Sequence, residues 1–408
     1  MNDAYSADAA AGRWLRRFFL LLALLAALTL LIAMPVSGLW LYRSGDLAVN
    51  RAVEAQSAGF ALYGTGLDGT AAGRTDAGSG IGEVYKLALY RAREPQIVLA
   101  GSSGMGMLRD SVFSRPMVNM AGTASSLSTL RESLDAMLAE HRPDVVLLAL
   151  DFWWFSDAWE ADPFVRRTTE RQAPGMSPEA LRMPLQSLLQ GKIGLGQFLF
   201  MGFRDNRYGM RAQFADEGYG PDGSWYAGAG LSEPRAADAG FMRTLDRVRR
   251  QIGEFAPQKS VSTAHLDAFA DIYFRLRGRG ITPLVFLAPL PGPVLDEMKK
   301  NEAAWPHLFN LRRELEARGI PMTDTSDPRY LDADSCEFLD GLHGGEVAAI
   351  RILRDLTSSW NGLLSYVNME QCNRLIAEWK GHASIRYEQV KDIWESDFLE
   401  LGCLKKTR

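Results

Sequence analysis

Two short segments of the chain carry the residue types of acyl-transfer chemistry. The first is Gly101-Ser102-Ser103-Gly104, which follows the apolar run Ile97-Val98-Leu99-Ala100. A serine in a tight turn between a strand and a helix has its hydroxyl pushed outward and backbone N–H groups beside it. That arrangement suits a nucleophile with part of an oxyanion hole. Plain glycine–serine turns are common, so the segment says little alone. The second is Asp340-Gly341-Leu342-His343. A neutral imidazole takes up a serine proton, and a carboxylate on its other ring nitrogen fixes the tautomer and stabilises the imidazolium. A spacing of three on a bent loop brings the two side chains together; the plain alternative is a surface loop with a chance Asp and His. The other histidines are His141, His265, His307 and His382. His141 ends a helical stretch before Arg142-Pro143, and His307 and His382 lie in polar helical stretches, so these three are expected in solvent. His265 is a rival base.

The elements that must hold these residues alternate between strand and helix. Short apolar runs at 97–100, 117–120, 145–150, 281–288 and 320–323 read as strands. Helical spacing at 83–93, 125–141, 266–279, 302–318 and 347–360 reads as helices. The continuous apolar run at 145–150 suits a strand covered on both faces. Alternation of this kind predicts an α/β domain with a mainly parallel sheet. In such sheets sites form beyond the carboxyl ends of strands. The segments at 101–104 and 119–122 both follow strands, as do Asp151 and Trp153. Residues 156–257 change character, with many charges, glycines and aromatics, and read as an insertion over one end of the sheet. Its Tyr208, Tyr219, Trp225 and Tyr226 suit either sugar stacking or the core of a small subdomain. The segment 361–408 reads as a helical tail.

In this order the segments resemble the SGNH (GDSL-like) hydrolase superfamily over about residues 95–360. Residues 97–104 match its first block, with Ser102 in place of the aspartate and Ser103 as the implied nucleophile. Asn119-Met120-Ala121-Gly122 matches the second, whose glycine N–H serves the oxyanion hole with that of Ser103. Asp340 to His343 matches the last, implying His343 as base and Asp340 as its orienter. The third block departs. The family's Asn donor is absent from Asp151-Phe152-Trp153-Trp154, and loss of one such donor typically costs about 2.7–4 kcal/mol in the transition state. Another group, such as the Trp153 indole, would have to supply it, or turnover is slow; packing beneath the insertion is the alternative role for Trp153 and Trp154. Asp151 suits orientation of a site group or a capping role. The resemblance implies a flavodoxin-like (SGNH-type) parallel sheet with helices on both faces.

Residues 18–42 contain no charged side chain, and about 20 apolar residues suffice to span a bilayer core. Arg13, Arg16 and Arg17 precede the run, while Arg43 and Asp46 follow it and cancel. The positive-inside rule then puts residues 1–17 in the cytoplasm and the body outside, in the periplasm. Trp40 and Tyr42 would sit at the headgroup level. A cleaved signal peptide is the alternative, with Val36-Ser37-Gly38 as a possible site. Residues 43–94 read as a stem ending in the 83–93 helix. An anchor joined to such a domain resembles the alginate O-acetyltransferase proteins and the D-alanine transfer protein DltD. That resemblance implies a multispanning membrane-bound O-acyltransferase as partner and an envelope or exported polysaccharide as substrate.

The leading expectation is thus a membrane-anchored, extracytoplasmic serine O-acyltransferase or esterase. The alternative is a catalytically impaired relative that binds a glycan or a membrane acyltransferase. A net charge of −4 without a basic run argues against nucleic acid. Cys336, Cys372 and Cys403 form neither CxxC nor a zinc spacing. No metal or cofactor is expected, and two of the cysteines are expected to pair in an oxidising compartment.

Overall fold

The computed structural model of this chain describes residues 2–45, 49–64, 81–159, 178–191, 193–200, 203–390 and 393–406. Part of the expected insertion, 160–177, and part of the expected stem, 46–48 and 65–80, lie outside the described residues. The centre is a five-stranded parallel sheet. Its strands are β2 (Ile97–Gly101), β3 (Met117–Ala121), β4 (Val145–Leu150), β8 (Thr282–Leu287) and β9 (Met322–Thr323), in the order β3-β2-β4-β8-β9. The chain leaves β2 to one side and then returns to add β4 on the other, a winding consistent with a flavodoxin-like fold. The carboxyl end of β2 therefore lies at the switch point where such sheets open a crevice.

Strand residues alternate between two cores. Val98, Ala100, Val118, Met120, Val146, Leu148 and Leu150 face helices α3 (Ile81–Arg93) and α4 (Leu127–Glu140) and the helix Thr263–Gly278. Ile97, Leu99, Met117, Val145, Leu147 and Ala149 face the helix Glu346–Ser359 through Val347, Ile350 and Leu353. Both faces are buried, which is why the strands read as unbroken apolar runs.

A second sheet of four short strands has the order β5-β1-β6-β7. β1 (Leu62–Tyr63) comes from the expected stem, while β5 (Arg207–Tyr208), β6 (Glu217–Tyr219) and β7 (Trp225–Ala227) come from the insertion. Stem and insertion thus build one subdomain, also joined by α2 (Val49–Ala58), whose Gln56 donates to the Ala61 and Tyr219 carbonyls. The subdomain docks on the free edge of β3. There the Asn119 N–H donates to the Asp222 carbonyl at 2.7 Å and the Trp225 N–H to that of Gly106 at 2.7 Å.

Residues 18–42 fall within α1 (Asn2–Ser44), which carries Pro35 in its interior. Among the described residues no helix is long and apolar enough to cross a membrane. Trp40, expected at a headgroup surface, is fully buried. It stacks on Phe198 and Phe214, meets Phe203 edge-on, and donates its indole N–H to the Phe198 carbonyl at 2.9 Å. The C-terminal tail is helical at Met369–Trp379 and mostly irregular beyond. It is tied back by a disulfide between Cys336 and Cys403, leaving Cys372 as a buried thiol.

Candidate active site

The turn that carries Ser103 is shaped by backbone crowding. Gly101 ends β2 with φ +112, and a Cβ there would lie 2.0 Å from the Ala149 carbonyl oxygen. Only glycine permits that approach. The chain then turns through a one-turn 3-10 helix, Ser103–Met105, capped by Ser102, whose Oγ accepts the Gly104 N–H at 3.0 Å. The following stretch is stapled to β3 by Asn119, which is fully buried. Its Nδ2 donates to the carbonyls of Met105, Gly106 and Leu108 at 3.1, 3.2 and 2.8 Å, and its Oδ1 accepts the Ala121 N–H at 2.9 Å.

The second segment closes over this turn. The Leu339 N–H donates to the His343 carbonyl, and Asp340 Oδ1 accepts the backbone N–H groups of Leu342 and His343, each at 2.8 Å. Gly341 is required because a Cβ would meet the Thr244 side chain at 2.2 Å. Thr244 belongs to the helix Met242–Arg250 of the insertion, so that helix presses on the loop.

Here the two segments meet. Ser103 Oγ lies 2.9 Å from His343 Nε2, and His343 Nδ1 lies 2.9 Å from both Asp340 carboxylate oxygens. A carboxylate accepts, so Nδ1 carries the proton and Nε2 is left to accept the serine O–H. Burial opposes the charge on both partners, yet their attraction wins: it raises the His343 pKa above the ordinary value and, with the backbone donors, lowers that of Asp340 to about 2. The arrangement can deprotonate a serine hydroxyl and hold the resulting imidazolium.

The oxyanion side differs from expectation. The Gly122 N–H donates to the Gly101 carbonyl at 2.8 Å, so it is committed to closing the ends of β2 and β3. Among the described residues the Ser103 N–H has no partner outside its own helical turn. Trp153 is half-buried, edge-on to Phe152 and Trp159, and Trp154 is fully buried. Asp151, by contrast, belongs to the site. It is buried, is hydrogen-bonded with Ser102 and interacts electrostatically with His343; burial pushes its pKa up to about 7 against the pull of those two partners.

Two further features escaped the sequence reading. Lys86 of α3 is buried with its Nζ donating to the Ala121 carbonyl at 2.6 Å, beside the Gly122 turn, and burial lowers its pKa to about 7. Arg109 is buried between Glu346, at 3.0 Å, and the Tyr226 ring, 3.5 Å away, and donates to Ser224 Oγ. It joins the insertion to the helix that begins just after His343. Their only sequence signal is an isolated cation among apolar residues. Tyr219 and Trp225 pack edge-on in the small sheet, and Tyr219 stacks on Tyr85. Finally, His307 and His382 are buried rather than solvated. His307 packs on Phe152 with neither ring nitrogen hydrogen-bonded, and burial lowers its pKa to about 4. The charged residues around 302–316 made that stretch look exposed, but its inner face closes the core. His265 lies 3.9 Å from Asp157, and the imidazole hydrogen-bonded to Ser103 is that of His343.

No family model, no curated protein and no solved structure matches the chain. Among the described residues no group of His, Cys, Asp and Glu is arranged to hold a metal ion.

Proposed function

We propose that this chain is an SGNH-type serine acyltransferase or esterase, anchored by α1 with its body outside the cytoplasm, acting on an envelope or exported polysaccharide. The observation that carries the chemistry is the hydrogen-bonded line Ser103 Oγ–His343 Nε2 and His343 Nδ1–Asp340, closed by residues 240 positions apart. Ser103 Oγ attacks an acyl carbonyl carbon as its proton passes to Nε2. The tetrahedral oxyanion is held by the Ser103 N–H. It collapses to acyl-Ser103 as the leaving group takes the proton from Nε2. A sugar hydroxyl or water then gives its proton to Nε2 as it attacks the acyl carbon, and collapse breaks the bond from that carbon to Ser103 Oγ, which takes the proton back from Nε2 as the product leaves. The anchor would keep this site near a membrane-borne acyl donor, and a multispanning O-acyltransferase is the partner suited to supply it.

The test is labelling of the full chain with a serine-directed fluorophosphonate. Labelling lost in Ser103→Ala and strongly slowed in His343→Ala is the expected result. Equal labelling of the native chain and Ser103→Ala would refute the nucleophile. A second reading, an impaired relative that binds a glycan or a membrane acyltransferase without turnover, is favoured by the engaged Gly122 N–H. It predicts no labelling of the native chain.

A further inference from the structure

The insertion carries an apolar face that the triad does not use. In the helices Pro178–Leu189 and Leu195–Phe200 and the turn between them, Ile193 and Phe198 are buried around Trp40, but other large apolar side chains point outward. Leu189 is 78% exposed, Leu195 61%, Leu199 58% and Phe200 84%. Large apolar side chains exposed on two short neighbouring helices mark a surface meant to be covered.

Two observations bear on what covers it. The first is level. Trp40 locks Leu195–Phe200 to α1 through its ring contact with Phe198 and its indole N–H bond to the Phe198 carbonyl. Residue 40 stands at the outer end of the uncharged run 18–42, and Leu39 and Tyr42 beside it are exposed too. The outward leucines and Phe200 therefore continue the apolar surface of α1 at the height where that run ends. The second is charge. The stretch between Glu179 and Asp205 holds Arg182, Lys192 and Arg204, and Arg204 is paired with Asp216 at 2.9 Å. Exposed leucine and phenylalanine side chains in a stretch with a small excess of cations are the composition of a segment lying in an anionic lipid interface.

We propose that Leu189, Leu195, Leu199 and Phe200 dip into the boundary between headgroups and acyl chains of the bilayer that holds α1. This rests on the membrane-anchored reading. The contact would fix the small subdomain, and with it the Met242–Arg250 helix that presses on the His343 loop, at a set height above the lipid. It gives α1 a second attachment point, so the body neither swings freely nor needs a partner protein to be oriented.

The test uses the full chain reconstituted in vesicles of phosphatidylcholine with phosphatidylglycerol and no other protein. Single-cysteine additions Phe200→Cys and Leu195→Cys carry an environment-sensitive nitrobenzoxadiazole dye; both sites are exposed, so folding is little at risk. Tyr330→Cys is the control: it is 84% exposed and follows β9, the sheet edge opposite the docked subdomain. The native chain treated alike gives the background from its own cysteines. Vesicle flotation reports the anchor separately. The expected result is a floated chain whose dye at 200 and 195 shifts to the blue and is quenched by lipids nitroxide-labelled near the headgroup, with no change at 330. A floated chain whose dye at 200 and 195 stays as wet as at 330 overturns the lipid contact, assigns the face to a protein partner and leaves the anchor standing. A chain that does not float overturns the anchor and this inference with it, while the fluorophosphonate result is untouched.

Discussion

The N–H of Gly122 donates to the carbonyl of Gly101 at 2.8 Å, joining the ends of two neighbouring strands where a second oxyanion donor was expected. The Ser103 N–H is then the donor left to face a developing oxyanion. A missing donor typically costs about 10²–10³ in rate. An activated ester acylates easily because its leaving group is good, whereas deacylation by water depends on the oxyanion hole. With p-nitrophenyl acetate we therefore expect acetyl-Ser103 to accumulate. Intact-mass spectrometry should show one added acetyl group on the native chain and none on Ser103→Ala. Fast multiple turnover without a detectable adduct would mean that a further donor completes the hole.

Asp151 should set the lower pH limit of reactivity. Its carboxylate, once ionised near pH 7, adds negative charge beside His343 and favours the imidazolium; Glu254 acts in the same direction, and Asp340 more strongly. The base works only when neutral, so each of these charges moves the acid limb to higher pH. Asp151→Asn keeps an acceptor for the Ser102 hydroxyl but removes the charge. The limb of fluorophosphonate labelling rate against pH should shift to lower pH in this variant. Superimposable limbs would show that Asp151 acts only through packing.

Much of the frame was legible because it obeys simple periodicity. The run 145–150 forms β4 at those limits, and the turns after β2 and before Glu346–Ser359 carry Ser103 and His343 where their residue types suggested. What stayed hidden depends on long-range pairing. β1, β5, β6 and β7 are two or three residues each, too short for any period, and become strands only by pairing stem with insertion. The engagement of Gly122 is a backbone bond between strand ends, which side-chain identity does not encode. His307 is buried although its sequence neighbours are charged, because they mask the inward face of a short helix.

Asn119 should matter through position rather than chemistry. Its amide donates to three carbonyls of the stretch after Ser103, and the bonds to Met105 and Leu108 are buried. Leaving a buried polar group without a partner costs about 1–3 kcal/mol. Asn119→Ala removes the amide partner of the Leu108 carbonyl and of the Ala121 N–H and opens a cavity, so a loss of about 3 kcal/mol is expected in denaturant unfolding. Fluorophosphonate labelling at low temperature, where the fold persists, should slow as the Ser103 turn loosens. A variant with unchanged stability would contradict the stapling role.

The disulfide between Cys336 and Cys403 should stabilise the body without touching the triad. It closes a separation of 67 residues, and the chain-entropy estimate for such a loop is about 4 kcal/mol. The tail it retains is also held by Lys405, whose Nζ donates to the carbonyls of Cys336 and Gly381, and beside it Arg351 pairs with Glu337 in the interior at 2.8 Å. These contacts keep part of the tail docked after reduction, so the measured loss should be smaller, about 2–4 kcal/mol. Cys336→Ser with Cys403→Ser should therefore lower the melting temperature markedly. Below the new melting point, Ser103 should label at the native rate, because the hydrogen bonds of the line from Asp340 to Ser103 involve neither sulfur. A labelling rate that falls in step with the lost stability would instead show that the tail holds the His343 loop in place.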